Sequence, residues 1–170
     1  GTDRIYEALQ KTKIPKIDLV MNLQGDEPLI DVNDIRNLNQ LMMDTNSKIG
    51  TLASKILDKK FYDNQSVVKV KTKEELDHKN FPEAIYFKRK TPKKDLNIYH
   101  HMGIYCYEME TLKDFVSYKQ SPNEAKYKLE QLRALENKIK INVALAKSHS
   151  IGIDTKEDFV AIKKIMEYKT

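Results

Sequence analysis

Tryptophan is absent, and cysteine nearly so: of 170 residues, Cys106 alone carries a thiol. A lone cysteine forms no internal disulfide, which excludes the disulfide-stapled secreted scaffolds and points to a reducing cytoplasm. No apolar stretch approaches the ~20 residues that a membrane-spanning helix needs, and no signal-peptide core is visible. Glycine and proline number five each, too few for collagenous or low-complexity chains. Also missing are a serine–histidine–aspartate arrangement, a CxxC pair, a Walker A loop and a GxGxxG fingerprint. Charge of neither sign is concentrated, since 30 Lys and Arg stand against 25 Asp and Glu for a net +5. The lysines lie scattered among acids with no aromatic-interleaved basic motif. That favours a solvated surface over a nucleic-acid footprint and is compatible with an anionic small-molecule substrate.

What the chain does have centres on residues 17–30. An apolar run through Leu19, Val20, Met21 and Leu23 ends abruptly in Gln24-Gly25-Asp26-Glu27-Pro28. Such a run reads as a buried strand of a parallel sheet. Gly25 permits a bend there, and Pro28, lacking an N–H, cannot continue a central strand. Two adjacent carboxylates, Asp26 and Glu27, therefore fall just past the carboxyl end of a core strand, where open α/β sheets bind ligands. The pattern admits two readings: a hard divalent cation held with substrate phosphates, or an acidic loop that only turns the chain.

The remainder alternates helices and strands. Asp31 can cap a helix whose apolar positions are Ile35, Leu38, Leu41 and Met42. Strands are expected at 49–56, 67–70, 84–87 and 141–146. A longer one over 97–107 places Ile98, His100, Met102, Ile104 and Cys106 on one face and Tyr99, His101, Gly103, Tyr105 and Tyr107 on the other. Helices are expected over 111–118, over 124–137, and after Thr155 with Asp158 at the capping-box position and Phe159, Ile162, Ile165 and Met166 facing inward. This order predicts one α/β domain, residues 1–170, with a largely parallel sheet. The chain opens on Gly1-Thr2-Asp3-Arg4 and runs straight into a helical pattern, so it reads as a fold entered part-way.

Beyond the central loop, four further features carry chemistry. Asp154 follows the 141–146 strand and can converge with Asp26 on one Mg²⁺, or simply favour the N-terminus of the last helix. Arg89 can grip a carboxylate with its guanidinium fork, or sit in a solvated basic turn. His101 and Tyr105 share a strand face and can line a polar pocket or form a structural pair. Glu130 and Gln131 interrupt an apolar stripe, as plain surface or as hydrogen-bonding groups for a polyhydroxylated ligand.

These blocks occur in an ordered set: Gly-Thr-Asp-Arg at 1–4, Asn-Leu-Gln-Gly-Asp-Glu-Pro at 22–28, Val-Lys-Val at 68–70 and Tyr-Phe-x-Arg at 86–89. His-Met-Gly-Ile-Tyr-Cys-Tyr at 101–107, Leu-Glu-Gln-Leu-Arg at 129–133 and Gly-Ile-Asp-Thr-x-Glu-Asp at 152–158 follow. The set closely resembles the 3-deoxy-manno-octulosonate (Kdo) cytidylyltransferases. The resemblance implies a three-layer nucleotide-diphospho-sugar-transferase-like fold with a mixed, mostly parallel sheet, here lacking its first strands and spanning about the C-terminal two-thirds of the domain. It implies an enzyme of lipopolysaccharide synthesis that joins CTP and Kdo into CMP-Kdo and pyrophosphate in the cytoplasm. Asp26 and Asp154 are then the catalytic carboxylates that hold Mg²⁺. Gln24, Arg89, His101, Tyr105, Glu130 and Gln131 surround the sugar, with Arg89 facing its carboxylate, and Arg4 lies near the nucleotide. A homodimer is implied as well, and an isolated fragment without the family's opening phosphate-wrapping loop is expected to be inactive. The chain departs from the family by carrying Lys88 before Arg89 and a shortened Lys90-Thr91-Pro92 turn. That departure keeps a second acidic sugar open as substrate, and the missing loop keeps open a non-catalytic binding or dimerisation module.

Overall fold

Strand β5 (Ile98–Glu108) is the spine of a six-stranded sheet. Its outward order is β4 (Ala84–Lys88), β3 (Lys69–Thr72), β5, β2 (Ile49–Ser54) and β6 (Ile141–Leu145), with β1 (Leu19–Asn22) also paired to β5. The computed structural model describes residues 1–57, 60–91, 95–147, 152–153 and 156–167. Helices α1 (Thr2–Lys11), α2 (Val32–Thr45), α3 (Lys60–Asp63), α4 (Met109–Ser117), α5 (Pro122–Tyr127), α6 (Gln131–Glu136) and α7 (Lys156–Glu167) complete the described elements.

The expected mixed sheet is present, and its directions explain the parallel reading. β1, β2, β3 and β6 all run one way, while β4 and β5 run against them. Because β5 is threaded through the middle, β2–β6 is the one parallel neighbour pair among the described strands, and the other pairings are antiparallel. Periodicity records which residues are buried but not strand direction, so an inserted antiparallel strand looks like any other.

The two faces of β5 separate as its alternation requires. Tyr99, Tyr105 and Tyr107 join Val20, Val70, Phe87, Leu112 and Phe115 in one core, against which Ile5 and Leu9 of α1 pack. Met102, Ile104 and Cys106 join Leu38, Met42 and Leu52 in the other, under α2. Asp31 caps α2 as expected, its side chain accepting from the Asn33 N–H. Gly50 lets that helix lie close, because a Cβ there would meet Met42, Phe81 and Leu38 at 2.6–2.9 Å.

Three expectations need correction. The segment 124–137 is not one helix: Lys128 takes the left-handed conformation at φ 53, ends α5, and leaves α6 to restart at Gln131. Ser121 caps α5 with a full capping box through Glu124. On α7, Ile162 is buried, whereas Phe159, Ile165 and Met166 are exposed, so the inward stripe narrows to a single position. The expected cap at Thr155 and the Asp158 side chain lie outside the described residues. Finally, β1 is half-buried, with Val20 alone fully covered, and it pairs with β5 on one side only among the described residues.

Candidate active site

β1 and β3 flank the same edge of β5 but at opposite ends, facing Tyr105–Glu108 and Ile98–His100 respectively. Between them the edge at residues 101–104 is open to loops, and Gln24, His101 and Tyr105 lie together here. A bulge shapes it: β2 pairs Thr51 with Tyr105 and then Leu52 with Met102, so Gly103 and Ile104 have no opposite residue. Thr51 stitches the bulge, its hydroxyl lying 2.6 Å from the Ile104 carbonyl and 3.3 Å from that of Met102.

Thr51 also fixes the tautomer of His101. Both carbonyls only accept, so the Thr51 proton goes to one of them and its oxygen accepts from His101 Nε2, 3.0 Å away. Nδ1 is left as an acceptor. The ring is buried between Phe87 and Tyr105, with centroids at 5.0 and 5.4 Å. Burial, assisted by nearby His100, pushes its pKa down to about 3, so His101 is neutral. Tyr105 is buried beside it, and its hydroxyl has no hydrogen-bond partner among the described residues. Burial, then Tyr107 and Glu130, push that hydroxyl well above its ordinary pKa.

The loop after β1 closes over Gly103. Glu27 N–H donates to the Gln24 carbonyl at 3.2 Å, and the Gln24 side chain lies 3.4 Å from where a Gly103 Cβ would stand. Gly25 is not left-handed, so the bend does not draw on its conformational freedom. Asp26 is exposed at the tip, and its carbonyl accepts the Ile153 N–H at 2.9 Å. That bond joins the two segments expected to converge. Asp154 itself lies outside the described residues. Glu27, the second carboxylate of that loop, has Oε1 at a long 3.4 Å from the Gly103 N–H and a buried Oε2 without a partner among the described residues.

Glu130 sits at the N-cap of α6 and spans to α1, where its carboxylate accepts the Thr2 N–H and hydroxyl. Gln131 is buried at the first position of α6, and Arg4 is exposed on α1. Arg133, six-hundredths exposed, grips the buried Glu124 with both fork nitrogens at 2.8 and 2.6 Å. Arg89 does not point free into solvent: its Nη1 donates to the carbonyls of Gln65 and Ser66 at 3.1 and 2.8 Å. Sequence reasoning passed over Thr51, whose role follows from a bulge that no pattern announces, and Lys69, a charge inside an apolar strand that was a visible signal.

For a metal, the chemistry of the donors is the test. Carboxylate and carbonyl oxygens around Asp26 suit a hard cation such as Mg²⁺, which takes one or two protein carboxylates and fills its shell with phosphate oxygens and water. No group of three or more His, Cys, Asp or Glu able to hold a metal occurs among the described residues. Two clefts of about 640 and 410 Å³ lie elsewhere, and none of the site residues lines them.

A family model described as cytidylyltransferase matches residues 1–141. The 3-deoxy-manno-octulosonate cytidylyltransferase of Bartonella henselae is 38% identical over 168 residues, covering 98% of this chain and 68% of that protein. The protein of the same name from Thermodesulfovibrio yellowstonii is 41% identical over 182 residues, covering 98% and 69%. Among solved structures, CMP:2-keto-3-deoxy-manno-octonic acid synthetase complexed with CTP superposes at TM-score 0.85 with 28% identity, covering 99% of this chain and 68% of that one. UDP-glucose pyrophosphorylase, 13% identical with a TM-score of 0.67 over 96% of this chain and 57% of its own, shares the fold.

Proposed function

Because this chain belongs to the 3-deoxy-manno-octulosonate cytidylyltransferases, we propose that it transfers the cytidylyl group of CTP to Kdo, giving CMP-Kdo and pyrophosphate. The anomeric hydroxyl of the sugar acid attacks the α-phosphorus, and pyrophosphate leaves. Catalysis of this kind is mostly positioning and charge stabilisation.

The observation that carries the sugar half is the buried hydroxyl of Tyr105, without a partner among the described residues, beside a neutral His101. An unsatisfied buried hydroxyl costs about 1–3 kcal/mol, and a polyhydroxylated ligand relieves that cost when it binds. His101 Nδ1 accepts from one sugar hydroxyl and Tyr105 bonds a second. Gln24, Glu130 and Gln131 complete the polar rim, and Arg89 takes the carboxylate. Arg4 stands on the nucleotide side.

Asp26 and Asp154 would hold Mg²⁺, which when bound neutralises the triphosphate. The bond from Ile153 to the Asp26 carbonyl supports this pairing, since it ties the residue before Asp154 to Asp26. Glu27 keeps Gly103 and the loop together. The setting is cytoplasmic, the product feeds lipopolysaccharide synthesis, and the enzyme works as a homodimer.

The basic turn at Lys88–Thr91 favours a second reading, in which another acidic sugar is the acceptor. Pyrophosphate release from CTP by the complete enzyme, with Kdo, an amino-substituted Kdo and a sialic acid offered in turn, separates the two. Kdo is expected to give the highest kcat/KM, and a preference for another acid overturns the assignment of substrate.

A further inference from the structure

Lys69 is a fully buried cation in β3, at the centre of the Val-Lys-Val block that has no part in the reaction as described. Its ammonium donates to three backbone carbonyls: Asn64 at 2.6 Å, Val67 at 3.0 Å and Arg89 at 2.5 Å. Arg89 answers with Nη1 on the carbonyls of Gln65 and Ser66. Four successive carbonyls, 64 to 67, are thus held by two cations, and one of those cations also holds the backbone of the other.

The arrangement determines which edge of Arg89 is available. With Nη1 anchored, Nε and Nη2 have no partner among the described residues. Those two nitrogens form the side-on edge that receives a carboxylate bidentately. Arg133 demonstrates the geometry within the same molecule, gripping Glu124 through Nε and Nη2.

We infer that Lys69 is a positioning residue: by fixing the 64–67 turn and the Arg89 backbone, it presents the Nε–Nη2 edge of Arg89 to the carboxylate of the sugar acid. The inference rests on the reading of Arg89 as the carboxylate ligand. Lysine suits the task because its ammonium supplies three donors to three carbonyls. Burial favours the uncharged amine, Asp63 opposes that tendency, and the neighbouring Arg89 charge adds to it.

Steady-state kinetics of the complete enzyme test it. Arg89→Ala is expected to raise KM for Kdo about tenfold while KM for CTP stays within about twofold. Lys69→Met is expected to reproduce that selective rise, and the double variant to be no worse than Arg89→Ala alone, the signature of two residues acting through one contact. If Arg89→Ala leaves KM for Kdo unchanged, the carboxylate reading fails and the inference falls with it. If Arg89→Ala acts but Lys69→Met does not, raises both KM values alike, or multiplies with it, the role of Lys69 is overturned while that of Arg89 stands. Should Lys69→Met not fold, Asn64→Ala decides. Asn64 is exposed, and its side chain braces the same turn by accepting the Ser66 N–H at 2.9 Å. A selective two- to fourfold rise in KM for Kdo supports the inference, and no change overturns it.

Discussion

Glu130 and Thr2, 128 residues apart, are joined twice: the carboxylate accepts the Thr2 N–H at 3.2 Å and its hydroxyl at 3.0 Å. A side chain from the start of α6 thereby occupies the N-terminus of α1, where unpaired N–H groups and the helix dipole favour an anion. The bond couples the Gly-Thr-Asp-Arg block to the Leu-Glu-Gln-Leu-Arg block and fixes where Glu130 can reach.

Thr2→Val keeps the shape and the N–H bond but removes the hydroxyl. Stability is expected to fall by about 1 kcal/mol, lowering Tm by about 2–4 °C in thermal unfolding of the complete protein. An unchanged Tm would show that the hydroxyl contact contributes nothing.

His101 gives a pH signature. The unfolded chain takes up a proton on this residue near 6.5, whereas the folded chain resists until about 3. The unfolded state therefore binds more protons between those values. The stability contributed by neutral His101 is complete above pH 6.5 and declines as the pH falls, by at most about 1.4 kcal/mol per pH unit. Glu108, held below the ordinary carboxylate value of 4.5 by Lys48, and Glu124, where burial pushes up but Arg133 and the Ser121 N–H prevail and hold it below that value, stabilise above it and lose their contribution below it. Between about pH 6.5 and 5 these two carboxylates contribute little to the slope, and the difference between parent and His101 variant reads the buried ring. Urea unfolding across this window is expected to give a flatter slope for His101→Gln than for the parent, and equal slopes would contradict the buried neutral ring.

Glu124 and Arg133 make a bidentate pair with side chains 5% and 8% exposed, and Arg133 lies over the Phe115 ring at 4.7 Å. Glu124→Gln leaves the buried guanidinium with only the carboxylates of Asp3 and Glu130, each 3.8 Å away, and about 3 kcal/mol of stability is expected to be lost. Replacing both residues, as Glu124→Leu with Arg133→Met, is expected to recover much of that loss in chemical denaturation. A double variant as unstable as the single one would mean that the pair is net stabilising.

Much of this architecture was legible in the sequence because burial leaves a period. The alternation through Tyr99, His101, Tyr105 and Tyr107 matched the observed face of β5, and Asp31 capped α2 where its side chain permits. The break between α5 and α6 was not legible, since Lys128 occupies a left-handed turn that glycine or asparagine would have announced. Direction was equally silent: β5 has the same pattern whether it runs with or against β2. In the site, Gln24, Gly103, His101 and Tyr105 lie together at one stretch of β5, while Glu130 is held on Thr2 of α1. The bulge at Thr51 that organises them is a relation between two strands and leaves no mark on either one alone.

The account turns on Asp26, at the tip of the loop beyond β1 and tied through its carbonyl to Ile153. The most direct test is the rate of CMP-Kdo formation against Mg²⁺ concentration at saturating CTP and Kdo, for the complete enzyme and its Asp26→Asn variant. The account predicts a loss of at least about a hundredfold in rate with the thermal transition unchanged. A variant matching the parent in both rate and Mg²⁺ half-saturation would contradict it.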